Sequence, residues 1–540
     1  MSVSQLARIV LHASALVLAT CAGLAAGCAA DSGTATGDQT STASAQITLN
    51  DKRASPGERA NAVRAVWAAA QGGDEQALAD AREEMKKMIW RGGAPQAARE
   101  AALECLLSDA RPDALADTAN MLRLRLPTEP NFGVLRYSCE QIAARAGDPV
   151  WRKTTTGLVR SWSRKLPSPA DDQRPENAAL RALYPDQSVQ DTVFQVFVDP
   201  VTFGARPDSD DKNAAAPLPD SARKIRQSAW DLLGRIDPRG ERRNELLTGD
   251  AAARSDDPML STLAACAREL RVVPLTGSEL QWATSLRTSS DKSDQAWWSE
   301  VSSLAASLSP EQAQGLQLRH LEPLRWASRH QAGWLSADRH ALRDELAGRL
   351  EGRRTHRVGQ SEGVDFDINR NRLKDWEPHL VWGDLLTILV LDEAVHDSAT
   401  VTEWFAQADR DRADTSTEWG GCLFDAAQRP GGEARAGFVP VGYAARPAQR
   451  VNDRTFVASD DMFTFGGRSL AHYHFHVQTH NNEAYAGPGN GDRDYADLHN
   501  RNCLVLTSVR SGVLNVDYYQ RGVDGVHPQI DLGDIDAPNK

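Results

Sequence analysis

Apolar residues recur at helical spacing through the first two thirds of the chain. Val63, Val66, Trp67 and Ala70 share one helical face, followed by Leu78, Ala81, Met85, Met88 and Ile89, then Ala98, Ala102, Cys105 and Leu106, then Leu115, Ala119, Leu122 and Leu126. Ser55-Pro56-Gly57-Glu58 supplies a cap residue, a proline at the first helical position and a glutamate placed to close a capping box. Gly92-Gly93 and Pro127 are stops, so helices are expected to begin near Ser55, Asp74, Ala94 and Arg111. Leu183 to Val198 reads as a helix pair and Gly204 to Asp220 as a loop. Helices are expected again over Lys224 to Leu233, Met259 to Leu270, Gln295 to Leu308 and Ala341 to Leu350, and Ser309-Pro310-Glu311-Gln312 repeats the first capping pattern. A polar, aperiodic run from Val358 to Asn371 interrupts the series. Beyond it, Val381 to Ala394 and Val401 to Asp409 are helical. The period then falls to two in Thr417 to Phe424, Phe438 to Tyr443, Thr455 to Phe465 and Ala471 to His476. Cys503 to Val509 and Val513 to Gln520 read as a hairpin around Arg510-Ser511-Gly512.

These patterns predict a multidomain chain, an all-α helical repeat-like region followed by an α/β (α+β) domain. Two helices take somewhat under forty residues, a period that resembles HEAT-like hairpins, with irregular helix packing as the competing arrangement. The boundaries expected are 51–355 for the helical region, 356–378 for a linker and 379–540 for the last domain. Trp297, Trp298, Trp326 and Trp334 either line an aromatic binding surface or pack the interior; packing is the commoner use of such residues.

The chemistry concentrates in the last domain. His472, His474 and His476 alternate along one strand and therefore share a face, where crowded imidazoles suit a borderline metal such as zinc. Asp492, in a glycine-rich loop, is the best placed carboxylate to complete three protein ligands, with Asp494 and Asp497 as its neighbours. Cys422, in an apolar strand, reads as a core thiol. His480 and His499 read as polar loop or helix residues.

Glu418-Trp419-Gly420-Gly421, then His474-Phe475-His476, then a proline-containing loop ending at Asp492 resembles the JAMM (MPN/JAB-type) metallopeptidases. That resemblance implies Glu418 as the base that handles the attacking water and His474, His476 and Asp492 as zinc ligands, with His472 the alternative ligand. It places Gly489 where the family has an oxyanion-stabilising serine, so a backbone N–H or Asn490 would have to replace that donor. Val477 stands where the family usually has proline. The histidine pattern after Gly466 is also similar to the first cupin motif, but Gln478 and Thr479 occupy the places where a cupin glutamate is required. A non-catalytic scaffold that keeps the fold without turnover is a further reading.

Composition adds location and partners. Residues 1–27 have the charge and apolar stretch of an export signal, and Leu24-Ala25-Ala26-Gly27-Cys28 resembles a bacterial lipobox, with Cys28 as the lipidated residue. Residues 28–50 have the composition of a solvated tether. A formal net charge of −12 argues against nucleic acid as a partner. The expected partners are a peptide or protein substrate, an envelope protein reached through the helical region, and a membrane reached through the lipid. The cysteines beyond Cys28 form neither a disulfide framework nor a paired zinc motif.

Overall fold

The structure, a computed structural model, describes residues 44–46, 48, 49, 51, 53–164, 169–203, 220–237, 240, 243, 257–354, 372–428, 437–522 and 526–538. The expected signal, Cys28 and most of the tether lie outside these residues, as do most of the 204–220 loop and residues 355–371 of the linker. Among the described residues no helix is long and apolar enough to cross a membrane. The chain divides into two compact units that part between Ala110 and Arg111.

In the first unit, helices Pro56–Gln71 and Glu75–Trp90 begin where the capping residues Ser55 and Asp74 place them, and Gln96–Ser108 follows Pro95 without a side-chain cap. Glu58 N–H donates to Ser55 Oγ at 3.2 Å and Ser55 N–H to Glu58 Oε2 at 2.7 Å, closing the box that satisfies two otherwise orphaned donors. The apolar stripe faces inward, with Val63, Met85, Ala98 and Leu106 buried.

From Arg111 on, the helices and the C-terminal sheet belong to one unit. Helix Pro175–Leu183 ends before Val189–Val198 begins, so the expected pair over 183–198 is one helix preceded by the last residue of another. Proline at the first position of the earlier helix explains its start. Trp297, Trp298, Trp326 and Trp334 are all buried, and Trp326 stacks on Phe438 at 5.1 Å between ring centres. They are interior packing, not an aromatic surface.

The sheet has six strands in the order β2-β1-β3-β4-β5-β6: β1 Gly420–Asp425, β2 Phe438–Gly442, β3 Ala471–His476, β4 Cys503–Arg510, β5 Val513–Tyr519 and β6 Gln529–Asp536. β3 and β4 are parallel; every other pair is antiparallel. Two expectations change. Thr455 to Phe465 is not a strand, because Ser459 caps a short helix at Asp460–Phe465 and only Phe456 makes an isolated bridge, to Glu418. The strand at Gln529–Asp536 is an addition: its core residues Ile530, Leu532 and Ile535 are set among aspartates and a glycine, residue types that strands disfavour.

Two helices precede the sheet, α1 at Trp382–His396 and α2 at Ser398–Ala413. α1 is buried over most of its surface, with Glu393 half-buried and His396 exposed in its last turn. It sits against the sheet face formed by Tyr473, Phe475, Leu504, Leu506, Val516 and Tyr518. A third helix, α3 at Asn490–His499, crosses between β3 and β4.

Arg319 fixes the helical residues to this core. Its guanidinium donates to Asp384 Oδ1 at 2.5 Å, Asn502 Oδ1 at 2.9 Å and Tyr518 Oη at 3.0 Å. His320 Nδ1 accepts the Gln317 N–H at 3.1 Å, so its Nε2–H faces Asp384 Oδ1 at 2.9 Å. Burial lowers the His320 pKa to about 4. Asp384 is held below the ordinary carboxylate range by Arg319 and His320 despite its burial. Replacing Arg319 with Met leaves Asp384 buried without its guanidinium, and urea denaturation should read a loss of about 3–5 kcal/mol. Both depressed values act in one direction: stability present at neutral pH is lost on acidification, first as His320 titrates between about 6.5 and 4, then as Asp384 titrates below that. An unchanged urea midpoint between pH 7 and pH 5 would contradict this account of His320.

Candidate metal centre

The site is assembled at the end of β3. Alternation puts His472, His474 and His476 on the sheet face opposite α1. Register sets Gly420 beside His474 and Cys422 beside His472. The two glycines after Glu418 have a steric cause. A Cβ on Gly420 would lie 2.4 Å from the Phe456 ring and 2.5 Å from Tyr473 O, and one on Gly421 would lie 2.1 Å from Val441 O. Their absence lets Phe456 stack flat on His474, 5.3 Å between ring centres, and lets the Glu418 segment close on the histidine strand.

Asp492 arrives from above, on the first turn of α3. Its Oδ2 accepts the Gly489 N–H at 2.7 Å, the usual satisfaction of a helix-start donor. Its Oδ1 lies 3.1 Å from His474 Nε2 and its Oδ2 lies 3.6 Å from His476 Nε2. The two Nε2 atoms are 3.3 Å apart. His476 Nδ1 faces the Tyr485 carbonyl at 2.9 Å; donation there assigns the proton to Nδ1 and leaves the Nε2 lone pair for the site. Glu418, 3% exposed, puts Oε1 3.6 Å from His476 Nε2. Glu418, His474 and His476 thus offer ligand-type atoms within 4.8 Å of one another.

These separations fit zinc. Bonds of 2.0–2.1 Å in a tetrahedron give ligand-to-ligand edges of about 3.3 Å; the His474–His476 edge is 3.3 Å, and Asp492 approaches His474 with Oδ1 at 3.1 Å and His476 with Oδ2 at 3.6 Å. Two imidazoles and one carboxylate are a donor set with one position left for a small ligand. Glu418 stands beside that set as a fourth group.

The electrostatics fit a cation as well. Burial pushes the Glu418 carboxyl up to about 8; His474 opposes this, while Asp492 and Asp411 add to it. Asp411, on α2, is pushed up to about 7 chiefly by burial. Asp492 is held below the carboxylate range by His474 and His476 despite its burial. His474 is raised above its ordinary value by Asp492 and Glu418, against its burial, whereas burial lowers His476.

The other candidates lie elsewhere or are occupied. His472 turns toward α3, with Nδ1 2.7 Å from Tyr495 Oη. Its Nε2 lies beside Gly466 and Cys422 rather than the other imidazoles. The Gly489 N–H is engaged by Asp492, and Asn490 is exposed at the start of α3. Asp497 binds His527 at 3.1 Å, away from the site. Cys422 is buried with its thiol pushed up to about 12 by burial, so it is a core thiol and no nucleophile. Sequence reasoning did not single out Asp411, Phe456, Tyr485 or Tyr519, whose Oη lies 3.5 Å from His474 Nδ1. Only the acid in an otherwise inward helical position gave a signal, and the Tyr485 contribution, a backbone carbonyl, gave none. Comparison with protein-family models, curated proteins and solved structures finds no match to this chain.

Because Glu418 is pushed up to about 8 and His474 is raised above its ordinary value by Asp492 and Glu418, a cation that displaces their protons should release up to about two protons on uptake at pH 7. Apparent affinity should rise as pH approaches about 8. Calorimetry in buffers of different ionisation enthalpy counts the protons; a count of zero would show that these groups do not face the metal.

Proposed function

We propose that residues 379–540 form a JAMM-type zinc metallopeptidase domain that hydrolyses an amide or isopeptide bond of a peptide or protein. The observation that carries this reading is the convergence of His474, His476 and Asp492 with the buried carboxyl of Glu418 beside them. Zinc held by those three residues supplies Lewis acidity, which polarises an amide carbonyl and brings water into reactive range near neutral pH. Glu418 does the proton work. Its carboxylate takes a proton from the attacking water as the new C–O bond forms. It then gives that proton to the amide nitrogen as the C–N bond breaks, leaving a carboxylic acid and an amine. Beside a bound cation Glu418 would be ionised and would start as a base, in contrast to its raised value without one. Phe456 and Tyr485 hold the two imidazoles in place by stacking and by a backbone hydrogen bond.

The export signal and the lipobox-like Cys28 place this activity, in our reading, in a bacterial envelope, where peptides, peptidoglycan stem peptides and protein tails are the available amides. The helical residues then serve substrate or partner binding. A second reading, a lipid-anchored scaffold with a metal-binding but inert domain, draws on Gly489. This residue carries no side-chain donor, and its N–H is already taken by Asp492; loss of one oxyanion donor commonly costs about 10²- to 10³-fold in rate. A cupin has no support in an open sheet with β2 and β6 at its edges and α1 buried against it.

The full chain should carry one zinc site, measured by elemental analysis, that His474→Ala and Asp492→Ala lose. Glu418→Gln should keep the metal while peptide cleavage falls about 10²- to 10⁴-fold. Full cleavage by Glu418→Gln, or a wild-type chain that takes up no zinc, would sink the peptidase reading. Zinc uptake without cleavage of any peptide would favour the scaffold.

A further inference from the structure

A cavity of about 490 Å³ lies apart from the imidazoles, within the range of about 300–1,000 Å³ that small-molecule sites occupy. It takes in Val381 and Asp384 at the start of α1, which places it on the α1 side of the sheet, opposite His474 and His476. Arg319, Asp384, Gln520 and Arg521 line it as buried residues, and Gln314 and His379 are exposed at its rim. Two backbone features shape the wall. Gly315, at φ +72°, passes so close to the start of α1 that a Cβ there would stand 2.7 Å from Val381 Cγ1. Arg271 follows the π-helical turn Cys266–Leu270 with φ 56° and ψ 29°, a left-handed conformation uncommon for a residue with a side chain. Such conformations persist only where the surroundings over-determine them, and they gather at binding sites.

The lining is rich in donors and in positive charge. Arg271, Arg319 and Arg521 line the cavity with one carboxylate, Asp384, and Arg319 and Asp384 already form an ion pair. The other two guanidinia form no ion pair among the described residues and rest on main-chain carbonyls. Arg271 donates to Leu308 O at 2.7 Å, and Arg521 donates to Asp497 O at 3.1 Å and to Gly234 O at 2.6 Å. Burial lowers the Arg521 pKa, while the charges of Asp497, Glu279 and Asp231 act against that from further off. Gln520 Oε1 accepts from Arg319 at 3.2 Å and from Tyr518 Oη at 2.7 Å, and Gln317 Oε1 accepts from Arg319 Nε at 2.9 Å. With their oxygens so engaged, the two amides leave their N–H donors to the cavity. Val273, Leu275, Leu316 and Val381 supply the apolar part of the wall. Water satisfies the amides but leaves two guanidinium charges without a counter-charge in a partly enclosed space.

We propose that this cavity binds a small carboxylic acid with an apolar body, its carboxylate paired with the guanidinia and amides of the lining and its body against Leu275, Leu316 and Val381. A guanidinium matches the two oxygens of a carboxylate, and charge-assisted bonds of this kind are the strong ones. The apolar wall suits the remainder of the ligand, which gains by leaving water. The charge here is a local exception. With histidine counted as neutral, three arginines against one aspartate leave 3 − 1 = 2 positive charges on the lining, in a chain whose formal net charge is −12. The cavity shares no residue with the imidazole site, so this inference does not depend on the peptidase reading.

The probe is decanoate, titrated calorimetrically into the full chain after chelation and dialysis, so that no carboxylate binds through a metal. One decanoate should bind per chain and raise the melting temperature. Decanol and inorganic phosphate, each carrying half of the recognised chemistry, should bind about 10-fold or more weakly than decanoate. Ala267→Trp, which fills the cavity from its half-buried wall, should abolish binding. Arg271→Gln should weaken it about 10-fold or more, and a His474→Ala/His476→Ala variant should bind decanoate as the wild type does. No uptake by the folded wild type would overturn the proposal, whichever variants fold. Equal affinity for decanol would show a cavity that reads no charge, and equal affinity for phosphate an anion site that needs no apolar body; either result would overturn it too. Undiminished binding by folded Ala267→Trp would place the ligand elsewhere, with the same consequence.

Discussion

β3 and β4 run parallel, and parallel neighbours cannot be joined by a tight turn, so the chain must cross the sheet between them. That crossover is the segment ending in α3. It leaves β3 at the end where His476 sits, and the start of α3 comes down over the same sheet face as the imidazoles. The need for a donor-satisfying residue in the first helical turn then puts a carboxylate, Asp492, where it meets both His474 and His476. One topological requirement thus supplies the helix start and the third metal-type ligand together. A β3 paired antiparallel with its sequence neighbour would have had no such helix to bring.

The sheet is divided between two kinds of burial. On one side Tyr473, Phe475, Leu504, Leu506 and Val516 close on α1, a helix buried over most of its surface. On the other, histidines, carboxylates and amides are buried almost as completely. The second kind is costly, because each charged group there loses its water. The raised values of Glu418 and Asp411 are that cost expressed as protonation, and the depressed Asp492 is the place where two imidazoles offset it. Glu418 and Asp411 thus gain little from their protein neighbours.

Arg319 connects this arrangement to the helices before it. Its bonds reach α1 through Asp384, the entry to β4 through Asn502 and the end of β5 through Tyr518. The helical residues from Arg111 onward accordingly share one compact unit with the sheet. A helical region meant only to present a partner would need no buried ion pair with the sheet's central helix. Here the same pair ties the rigidity of the two together.

Much of the local structure was legible in the chain. The cap at Ser55 and its repeat at Ser309 were written in residue types whose hydrogen bonds are short-range, and the helices start there. The alternation of His472, His474 and His476 fixed a shared face because a strand has period two. Glu418, however, was placed only by resemblance to a pattern, and Asp492 by its glycine-rich loop as well, and it took the sheet order and the α3 crossover to bring them beside the imidazoles. The strand expected at Thr455 to Phe465 gives way to a short helix where Ser459 caps it, since a short apolar run fits either period. β6 carries Ile530, Leu532 and Ile535 among aspartates and a glycine, residue types that strands disfavour, so its pairing with β5 showed only in the sheet. Sequence by itself determined what rests on neighbours a few residues apart: caps, periods and the identity of the ligand-type side chains. Tertiary structure decided which of those side chains meet, because strand register and crossover direction depend on pairings between segments that the chain keeps far apart.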